Sequence, residues 1–237
     1  REGIDSSLVK VNPGVSTNYH YVLWYDDDRT ILIKHESFPY ELPDIGEPSW
    51  LYLSSLGENS LPFHDALAAY LDNYPKINLA FQPGTYQIKF GRERLAKIYS
   101  QTKVFISNKL EVQRILETKE EDIKKLLESV RALGPKIIII TDGPEGAYML
   151  NGEETWFMPP FPDEKPPYER TGAGDAFSST FVAALALGED PLRALSWGPV
   201  NSMSVVQHIG AQEGLLSREK LEEYLKKAPA NYKPKKI

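Results

Sequence analysis

The sequence contains no cysteine among its 237 residues. This absence excludes disulfide bonds, thiolate catalysis and zinc–thiolate sites, and it is compatible with the cytoplasmic location that we expect. No apolar run approaches the length that a bilayer span requires, so we expect no membrane partner. The four histidines, at positions 20, 35, 64 and 208, show no metal-ligand spacing.

Basic residues are also few, because 27 lysines and arginines stand against 33 aspartates and glutamates, which gives a formal net charge of −6. A protein that neutralises nucleic-acid phosphates needs a basic face, so we expect no nucleic-acid partner. The sequence also lacks a GxxxxGK[ST] P-loop and complete GxGxxG, HExxH and GxSxG motifs. Its hydrophobic fraction of 41% is ordinary and predicts a large globular domain.

Short apolar segments alternate with helical patterns from about residue 50 onward. The run "KIIIIT" at 136–141 is typical of a strand that is buried on both faces of a parallel sheet. Similar strands are predicted at 50–53, 77–81 and 103–107. This alternation predicts an α/β fold, a three-layer α/β/α sandwich on a mostly parallel sheet.

Capping residues mark two helix starts. Thr118 and Glu121 have the spacing of a capping box at the start of one helix. Asp190 followed by Pro191 predicts the start of another helix, and Pro199 predicts a kink within it.

Residues 15–38 read as a β-hairpin, because two runs rich in Tyr, Val, Thr, Ile and Leu flank an acidic turn at Asp26–Asp28. Its aromatic residues lie on both faces, which indicates a lid or a dimer surface. The sequence therefore divides into this small β lid and an α/β core made of residues 1–14 and 39–237.

The stretch "TGAGDAF" at 171–177 places three small residues, Gly172, Ala173 and Gly174, directly before an acid, Asp175. A long apolar helix follows, and the free amides at a helix start favour an anion. Small residues let the backbone close around a phosphate, and Asp175 could accept a proton from a hydroxyl nucleophile. The alternative is a capped helix start whose glycines serve packing.

Two further motifs each allow two interpretations. Asn108 and Glu111 in "SNKLE" could hold a hydrated Mg²⁺, or they could form a helix N-cap with an acid in the first turn. Thr141 and Gly143 in "TDGPEGA" follow a buried strand, where they could contact nucleotide phosphates or form a plain turn.

Polar residues also follow other predicted strands on the same side of the sheet. We interpret these residues as ordinary strand-end polar groups, and they are Ser54, Ser55 and Gln82.

The order of "SNKLE", "IIIITDGPEGA", "TGAGDAF" and "HIGAQ" resembles that of the ribokinase-like (PfkB-type) carbohydrate and nucleoside kinase family. The resemblance extends from the hairpin to about residue 225, and "TGAGDAF" is its most specific part. It implies that Asp175 is the catalytic base and that the amides of residues 172–174 form an anion hole. It also implies that the hairpin is the lid over the sugar, through which family members often dimerise.

The resemblance assigns cofactor roles as well. It implies that Asn108 and Glu111 organise Mg²⁺ and the phosphates. It also implies that a monovalent cation such as K⁺ is bound by the loop Glu169–Thr171 and by backbone around Gly210. Thr141, Gly143 and Gly146 match the ATP-phosphate loop of the family. Pro199, Asn201 and His208 lie in the stretch that flanks the adenine in the family.

Two features depart from the family pattern. Glu169 and Arg170 stand where the family usually has Asp-Thr, so Arg170 could replace the monovalent cation. The family's N-terminal strands, which supply most sugar contacts, normally precede a segment like "REGIDSS" at 1–7, so we expect this sequence to lack them.

The leading hypothesis is an ATP-dependent phosphotransferase that acts on a hydroxyl of a sugar or nucleoside. The alternative is a non-catalytic nucleotide- or sugar-binding protein of the same fold.

Overall fold

A computed structural model describes residues 3–25, 28–34, 36–163 and 165–237. Its strands are β1 (Tyr19–Tyr25), β2 (Asp28–Lys34), β3 (Trp50–Leu53), β4 (Asn78–Phe81), β5 (Thr102–Asn108), β6 (Ile137–Thr141), β7 (Ala147–Asn151), β8 (Glu154–Met158) and β9 (Lys235–Lys236). Its α-helices are α1 (Leu61–Asn73), α2 (Thr85–Phe90), α3 (Ala96–Gln101), α4 (Lys109–Leu116), α5 (Ile123–Arg131), α6 (Ala173–Ala186), α7 (Pro191–Val206) and α8 (Arg218–Lys227).

The main sheet contains seven strands in the order β3-β4-β5-β6-β7-β8-β9. The pairings from β3 to β6 are parallel, as the sequence predicts. The pairings from β6 to β9 are antiparallel, and short connections join β6 to β7 and β7 to β8. The parallel half therefore carries the strands that were predicted at 50–53, 77–81, 103–107 and 136–141, with ends shifted by at most one residue.

Helices cover both faces of the sheet. Alternate residues of β5 face opposite sides, so that Val104 and Ile106 pack in the cluster that contains α6 and α7. Phe105 belongs to the other cluster, with residues of α1, α3, α4 and α5. Burial on both faces explains why β6 is a continuous apolar run. The prediction of a three-layer α/β/α sandwich is confirmed.

The hairpin forms a separate two-stranded antiparallel sheet. Asp28 lies in β2, whereas the remainder of the predicted turn, at 26–27, lies outside the described residues, as does the histidine at 35. Side chains on one face of this sheet are exposed, among them Tyr19, Tyr21, Leu23 and Leu32. The assignment of this hairpin as a lid stays a prediction.

The predicted capping box at Thr118 and Glu121 is wrong. Helix α5 begins later, because the Asp122 carboxylate accepts hydrogen bonds from the amides of Lys124 and Lys125. The Thr118 hydroxyl instead accepts a hydrogen bond from the amide of Glu120. An aspartate one residue before the helix caps it directly and leaves no role for a more distant threonine.

The second predicted helix start is confirmed. Asp190 caps α7 by accepting hydrogen bonds from the amides of Leu192 and Arg193, and Pro191 is its first residue. Helix α7 is 16 residues long and contains Pro199 in its interior. Across the described ranges, no helix is both long and apolar enough to cross a membrane.

Candidate active site

The start of α6 is shaped by glycine. Gly172 is the N-cap residue with φ of +81°, a conformation that side chains disfavour. A Cβ atom on Gly172 would also lie 2.6 Å from the Cβ of Ala211, so this position requires glycine twice over. At Gly174, by contrast, a Cβ would meet nothing within 4 Å. One side of the first turn of α6 is therefore open.

Backbone amides at this helix start have no side-chain cap. The Ala173 amide donates to the Arg170 carbonyl at 3.5 Å, which is at the long limit of a hydrogen bond. The Ala176 amide makes the regular helical bond to the Gly172 carbonyl at 2.8 Å. An uncapped helix start with an open side is suited to an anion, because its amides and dipole present positive charge there.

Asp175 lies in the first turn of α6 and is exposed. Its Oδ1 accepts a hydrogen bond of 2.9 Å from the Nε2 of Gln82, which follows β4 directly. The Oε1 of Gln82 in turn accepts a hydrogen bond from the hydroxyl of Tyr52 on β3. Desolvation, and then the nearby charge of Asp175, raise the pKa of Tyr52 well above its ordinary value. Tyr52 therefore stays protonated and can act as a donor.

The sequence interpretation did not predict the hydrogen bonds that link Tyr52 and Gln82 to Asp175. Gln82 was interpreted as an ordinary strand-end polar group, although the carboxyl ends of parallel strands meet at one edge of a sheet. That rule places the end of β4 near the start of a helix packed on the sheet, but it does not specify which polar groups touch. The contact joins residues that are 93 positions apart.

A cavity of about 220 Å³ lies beside this helix start. It brings together six predicted site residues, which are Thr141, Gly143, Gly146, Ala173, Gly174 and Pro199. Large apolar side chains line other parts of it, including Phe161, Phe177 and Met203. A small cavity lined by apolar side chains and by the first residues of a helix can accept a planar base attached to an anionic group.

The cavity also contains charged side chains. Arg170 and Asp163 both line it. Burial raises the pKa of Asp163, and the positive charge of Arg170 opposes this shift. Arg170 therefore brings a positive charge to the cavity that Ala173 and Gly174 also line.

Gly146 holds the loop after β6 against β8. Its φ is +100°, and a Cβ atom there would lie 2.5 Å from the Met158 carbonyl oxygen. The Asp142 amide donates to the Gly146 carbonyl at 2.8 Å, which closes the loop. The loop is therefore a tight turn, and it also lines the cavity, so the two interpretations of "TDGPEGA" are compatible.

Asn108 and Glu111 form a reciprocal capping box at the start of α4. The Asn108 Oδ1 accepts from the Glu111 amide at 2.9 Å, and the Glu111 Oε2 accepts from the Asn108 amide at 3.1 Å. The Ser107 hydroxyl also donates to Glu111 Oε2, at 2.7 Å. These contacts are those of the capping alternative. In the described part of the chain, no group of three or more His, Asp or Glu side chains could hold a metal ion.

Asn201 and His208 do not line the cavity. The buried Asn201 amide donates to the Thr180 hydroxyl at 2.7 Å, and its Oδ1 accepts from the Leu216 amide at 3.0 Å. The Nδ1 of His208 donates to the Ser204 carbonyl at 2.9 Å. Both side chains therefore tie α7 to its surroundings, and their predicted role beside a nucleotide stays a prediction.

Glu169 is buried, and its carboxylate accepts a hydrogen bond from the Gly210 amide. The amides of Tyr168 and Glu169 donate to the Val206 carbonyl at 2.7 and 3.3 Å. These contacts fasten the loop before α6 to the end of α7. They join two segments that the resemblance assigns to a monovalent cation, the loop at Glu169 and the backbone at Gly210, and the K⁺ site stays a prediction.

Known proteins share this sequence pattern and fold. Residues 1–218 match the family described as "pfkB family carbohydrate kinase". An ATP-dependent 6-phosphofructokinase of Thermoanaerobacterium thermosaccharolyticum is 31% identical over 150 residues, which are 62% of this chain and 43% of that protein. A Bacillus subtilis ribokinase is 38% identical over 94 residues, 40% of this chain and 31% of that protein. The chain thus matches less than half the length of each of these curated relatives.

The crystal structure of a Methanocaldococcus jannaschii nucleoside kinase, an archaeal member of the ribokinase family, superimposes with a TM-score of 0.70 at 20% identity. The match covers 89% of this chain and 68% of that one. At this identity the similarity establishes the fold alone. Together with the match over residues 1–218, it shows that the chain belongs to the pfkB family of carbohydrate kinases and has the ribokinase fold.

Proposed function

We propose that this chain is an ATP-dependent phosphotransferase that transfers the γ-phosphoryl group to a hydroxyl of a sugar or nucleoside. One observation carries the proposal. A single turn of α6 presents the exposed Asp175 carboxylate and also supplies Ala173 and Gly174 to the cavity. A base and an anion site are thus held next to each other, as phosphoryl transfer requires.

The nucleotide is proposed to occupy the cavity. Its base would lie between the apolar walls formed by Phe161 and Met203, and its phosphates would face the amides of Ala173 and Gly174. Arg170 would pair with a phosphate, because it is a cationic side chain on the same cavity. ATP is the nucleotide named for the 6-phosphofructokinase relative.

Mg²⁺ is the cofactor proposed to accompany ATP. Asn108 and Glu111 offer amide and carboxylate oxygens, which are the ligand types that Mg²⁺ accepts. The fit is partial, since Oε2 of Glu111 already accepts two hydrogen bonds within the capping box. When bound, Mg²⁺ would neutralise part of the phosphate charge.

In the proposed reaction, the acceptor hydroxyl oxygen attacks the γ-phosphorus while the bond to the β–γ bridging oxygen breaks and ADP leaves. The hydroxyl proton passes to Asp175, whose Oδ1 already accepts a hydrogen bond from Gln82, so Oδ2 would be the oxygen that takes the proton. Charge on the moving phosphoryl group is stabilised by the amides at the start of α6.

The acceptor class rests on the relatives, which include a phosphofructokinase, a ribokinase and a nucleoside kinase. A sugar phosphate, a free sugar and a nucleoside are all acceptors that present a hydroxyl. We therefore propose the class "sugar or nucleoside" without choosing among its members.

A homodimer through the hairpin is part of the proposal. The exposed side chains of Tyr21 and Leu32 lie directly opposite each other on β1 and β2, and Tyr19 and Leu23 share their face. An apolar face of this kind on a two-stranded sheet is suited to a partner surface.

The alternative proposal is a nucleotide- or sugar-binding protein without catalysis. It is favoured by the capping box, in which Asn108 and Glu111 satisfy each other. The two proposals predict different products from labelled ATP.

The experiment that separates them uses γ-labelled ATP with a panel of sugars, sugar phosphates and nucleosides. The transferase proposal predicts label on at least one acceptor, while ATP binding measured by calorimetry with no labelled product would favour the alternative. Failure to bind ATP at all would contradict both.

A further inference from the structure

We propose that Gln82 and Tyr52 are positioning residues for Asp175, and that Tyr52 fixes the orientation of the Gln82 amide so that its NH₂ group holds one carboxylate oxygen. This inference rests on the proposed function, in which Asp175 is the base. It adds a hydrogen-bonded chain that links two strands of the sheet to the catalytic carboxylate.

The orientation of Gln82 follows from donors and acceptors. An ionised carboxylate only accepts hydrogen bonds, so the group of Gln82 that lies 2.9 Å from Asp175 Oδ1 must be its NH₂. If the amide were rotated by half a turn, two oxygens would face each other. The opposite end of the amide is an acceptor and needs a donor.

Tyr52 supplies that donor, because its hydroxyl bonds to Gln82 Oε1. The hydroxyl is held protonated by its raised pKa, which has desolvation as its main cause. The hydrogen bonds therefore run in one direction, because Tyr52 donates to Gln82 and Gln82 donates to Asp175. Each link specifies the next, and neither end can be reversed without an unpaired polar group.

The consequence for catalysis concerns the second carboxylate oxygen. With Oδ1 occupied, the carboxylate plane is fixed and Oδ2 is available for the acceptor proton. Loss of Gln82 would leave Asp175, an exposed side chain, free to rotate. Such a loss should lower kcat and leave the KM values nearly unchanged, because neither nucleotide nor acceptor binding depends on this bond.

The first test compares Gln82→Leu with a matched control, Asn78→Leu, at the other end of the same strand. The Asn78 amide donates to the Ser49 carbonyl at 3.0 Å, a contact separate from the one that Gln82 makes with Asp175. We expect kcat of Gln82→Leu to fall about tenfold with KM values within about twofold of wild type, and the control to retain its kcat. Wild-type kcat in Gln82→Leu would overturn the inference.

The second test is the isosteric Gln82→Glu variant. At neutral pH the new carboxylate cannot donate to Asp175 and should lower kcat, whereas its protonated form at acidic pH can donate again. Among the described residues, Tyr52 and Asp175 are the titratable side chains that hydrogen-bond to Gln82. We expect the kcat optimum to move toward acid relative to wild type. An unchanged pH profile would contradict the role given to the NH₂ group.

The third test addresses Tyr52 without using activity. Selective ¹⁵N-glutamine labelling reports the Gln82 side-chain amide, which is assigned by its loss in Gln82→Leu. Tyr52→Phe and Asp175→Asn should each shift this resonance, while Tyr70→Phe, which removes a hydroxyl bonded to the Gly46 carbonyl, should not. If Tyr52→Phe leaves this resonance unshifted, the proposed hydrogen bond from Tyr52 to Gln82 is contradicted.

These readouts separate the inference from the proposed function. A wild-type enzyme that is impaired by Asp175→Asn but indifferent to Gln82→Leu would retain the function and overturn the inference. A wild-type protein that transfers no phosphoryl group would overturn the proposed function. It would also remove the catalytic purpose proposed for the hydrogen bonds from Tyr52 through Gln82 to Asp175. The amide spectrum would still decide whether Tyr52 and Gln82 order the carboxylate.

Discussion

Single residues at the start of α6 have separable tasks. Gly172 adopts a positive φ and approaches Ala211 closely, whereas Gly174 faces open space. The same motif therefore contains one glycine that the fold requires and one whose missing side chain leaves open space. Sequence alone shows both as small residues and does not distinguish them.

Gly172→Ala should lower the free energy of unfolding, by about 1–2 kcal/mol from its left-handed conformation and further from the contact with Ala211. Gly174→Ala is the matched control for stability, because its Cβ would meet no atom within 4 Å. Urea unfolding of both variants measures the difference. Equal stabilities would contradict the distinction between the two glycines.

Arg170→Gln should weaken ATP binding about threefold to tenfold and leave adenosine binding nearly unchanged, because the proposed partner of Arg170 is a phosphate. Calorimetric titration with the two ligands measures this split. Arg94→Gln is a suitable control, since Arg94 pairs with Asp65 and does not line the cavity. Equal losses for ATP and adenosine would place Arg170 beside the base or in the fold instead.

At the scale of elements, caps and buried helix faces determine where the site residues lie. The capping box fixes the start of α4 at the end of β5, and Asp122 fixes the start of α5. For Asn108 and Glu111, the helix cap was one of the two interpretations that the sequence allowed. The sequence prediction failed at Thr118 because three consecutive acids, residues 120–122, offer competing caps that spacing alone cannot rank.

Glu111→Gln separates the two interpretations of the α4 motif. Glutamine also serves in a capping box, so the free energy of unfolding should change by less than about 0.5 kcal/mol. If Glu111 also contacts Mg²⁺, the Mg²⁺ concentration required for half-maximal transfer should rise. If the stable variant has an unchanged Mg²⁺ requirement, only the capping role of Glu111 is supported.

His64 on α1 should make the stability of the protein depend on pH. It is buried, and burial lowers its pKa, against the opposing effects of the Ser60 carbonyl and the Asp65 charge. The unfolded chain takes up a proton below about pH 6.5 while the folded chain resists it. The contribution of His64 to the free energy of unfolding should therefore be complete above that pH and be lost as the pH falls further, through the lowered pKa of the folded state.

Urea unfolding at about pH 7.5 and about pH 5.5 measures this effect. His64→Gln, which cannot be charged, should lose less stability over this interval than wild type. His20→Gln, at an exposed residue of the hairpin strand β1, is the control and should lose as much stability as wild type. If His64→Gln shows the wild-type pH dependence, another group is responsible.

At the scale of the whole molecule, the fold was predictable where burial is uniform. The run "KIIIIT" marks a strand covered on both faces, and β6 lies there with helices on both sides. The antiparallel half was not predicted, because β7 and β8 carry mixed sequences whose pairing depends on the short connections between them. The chain from Tyr52 to Asp175 was also missed, since it joins three distant segments.

The hairpin is the other feature argued at this scale. If its exposed face forms the proposed dimer, Leu32→Glu should convert a dimer to a monomer in sedimentation velocity experiments, because a charge would be buried at the contact. Leu110→Glu, at an exposed leucine of α4, is the control and should sediment as wild type. A wild-type protein that remains monomeric at high concentration would contradict the dimer.

The central claim is that Asp175 takes the proton of the attacking hydroxyl beside a helix start that holds the phosphoryl group. Steady-state transfer by Asp175→Asn measures it most directly, with Asp190→Asn as a control because asparagine can still cap α7. We predict that kcat falls at least about 100-fold in Asp175→Asn and is retained in the control. Turnover near the wild-type value in Asp175→Asn would contradict the account.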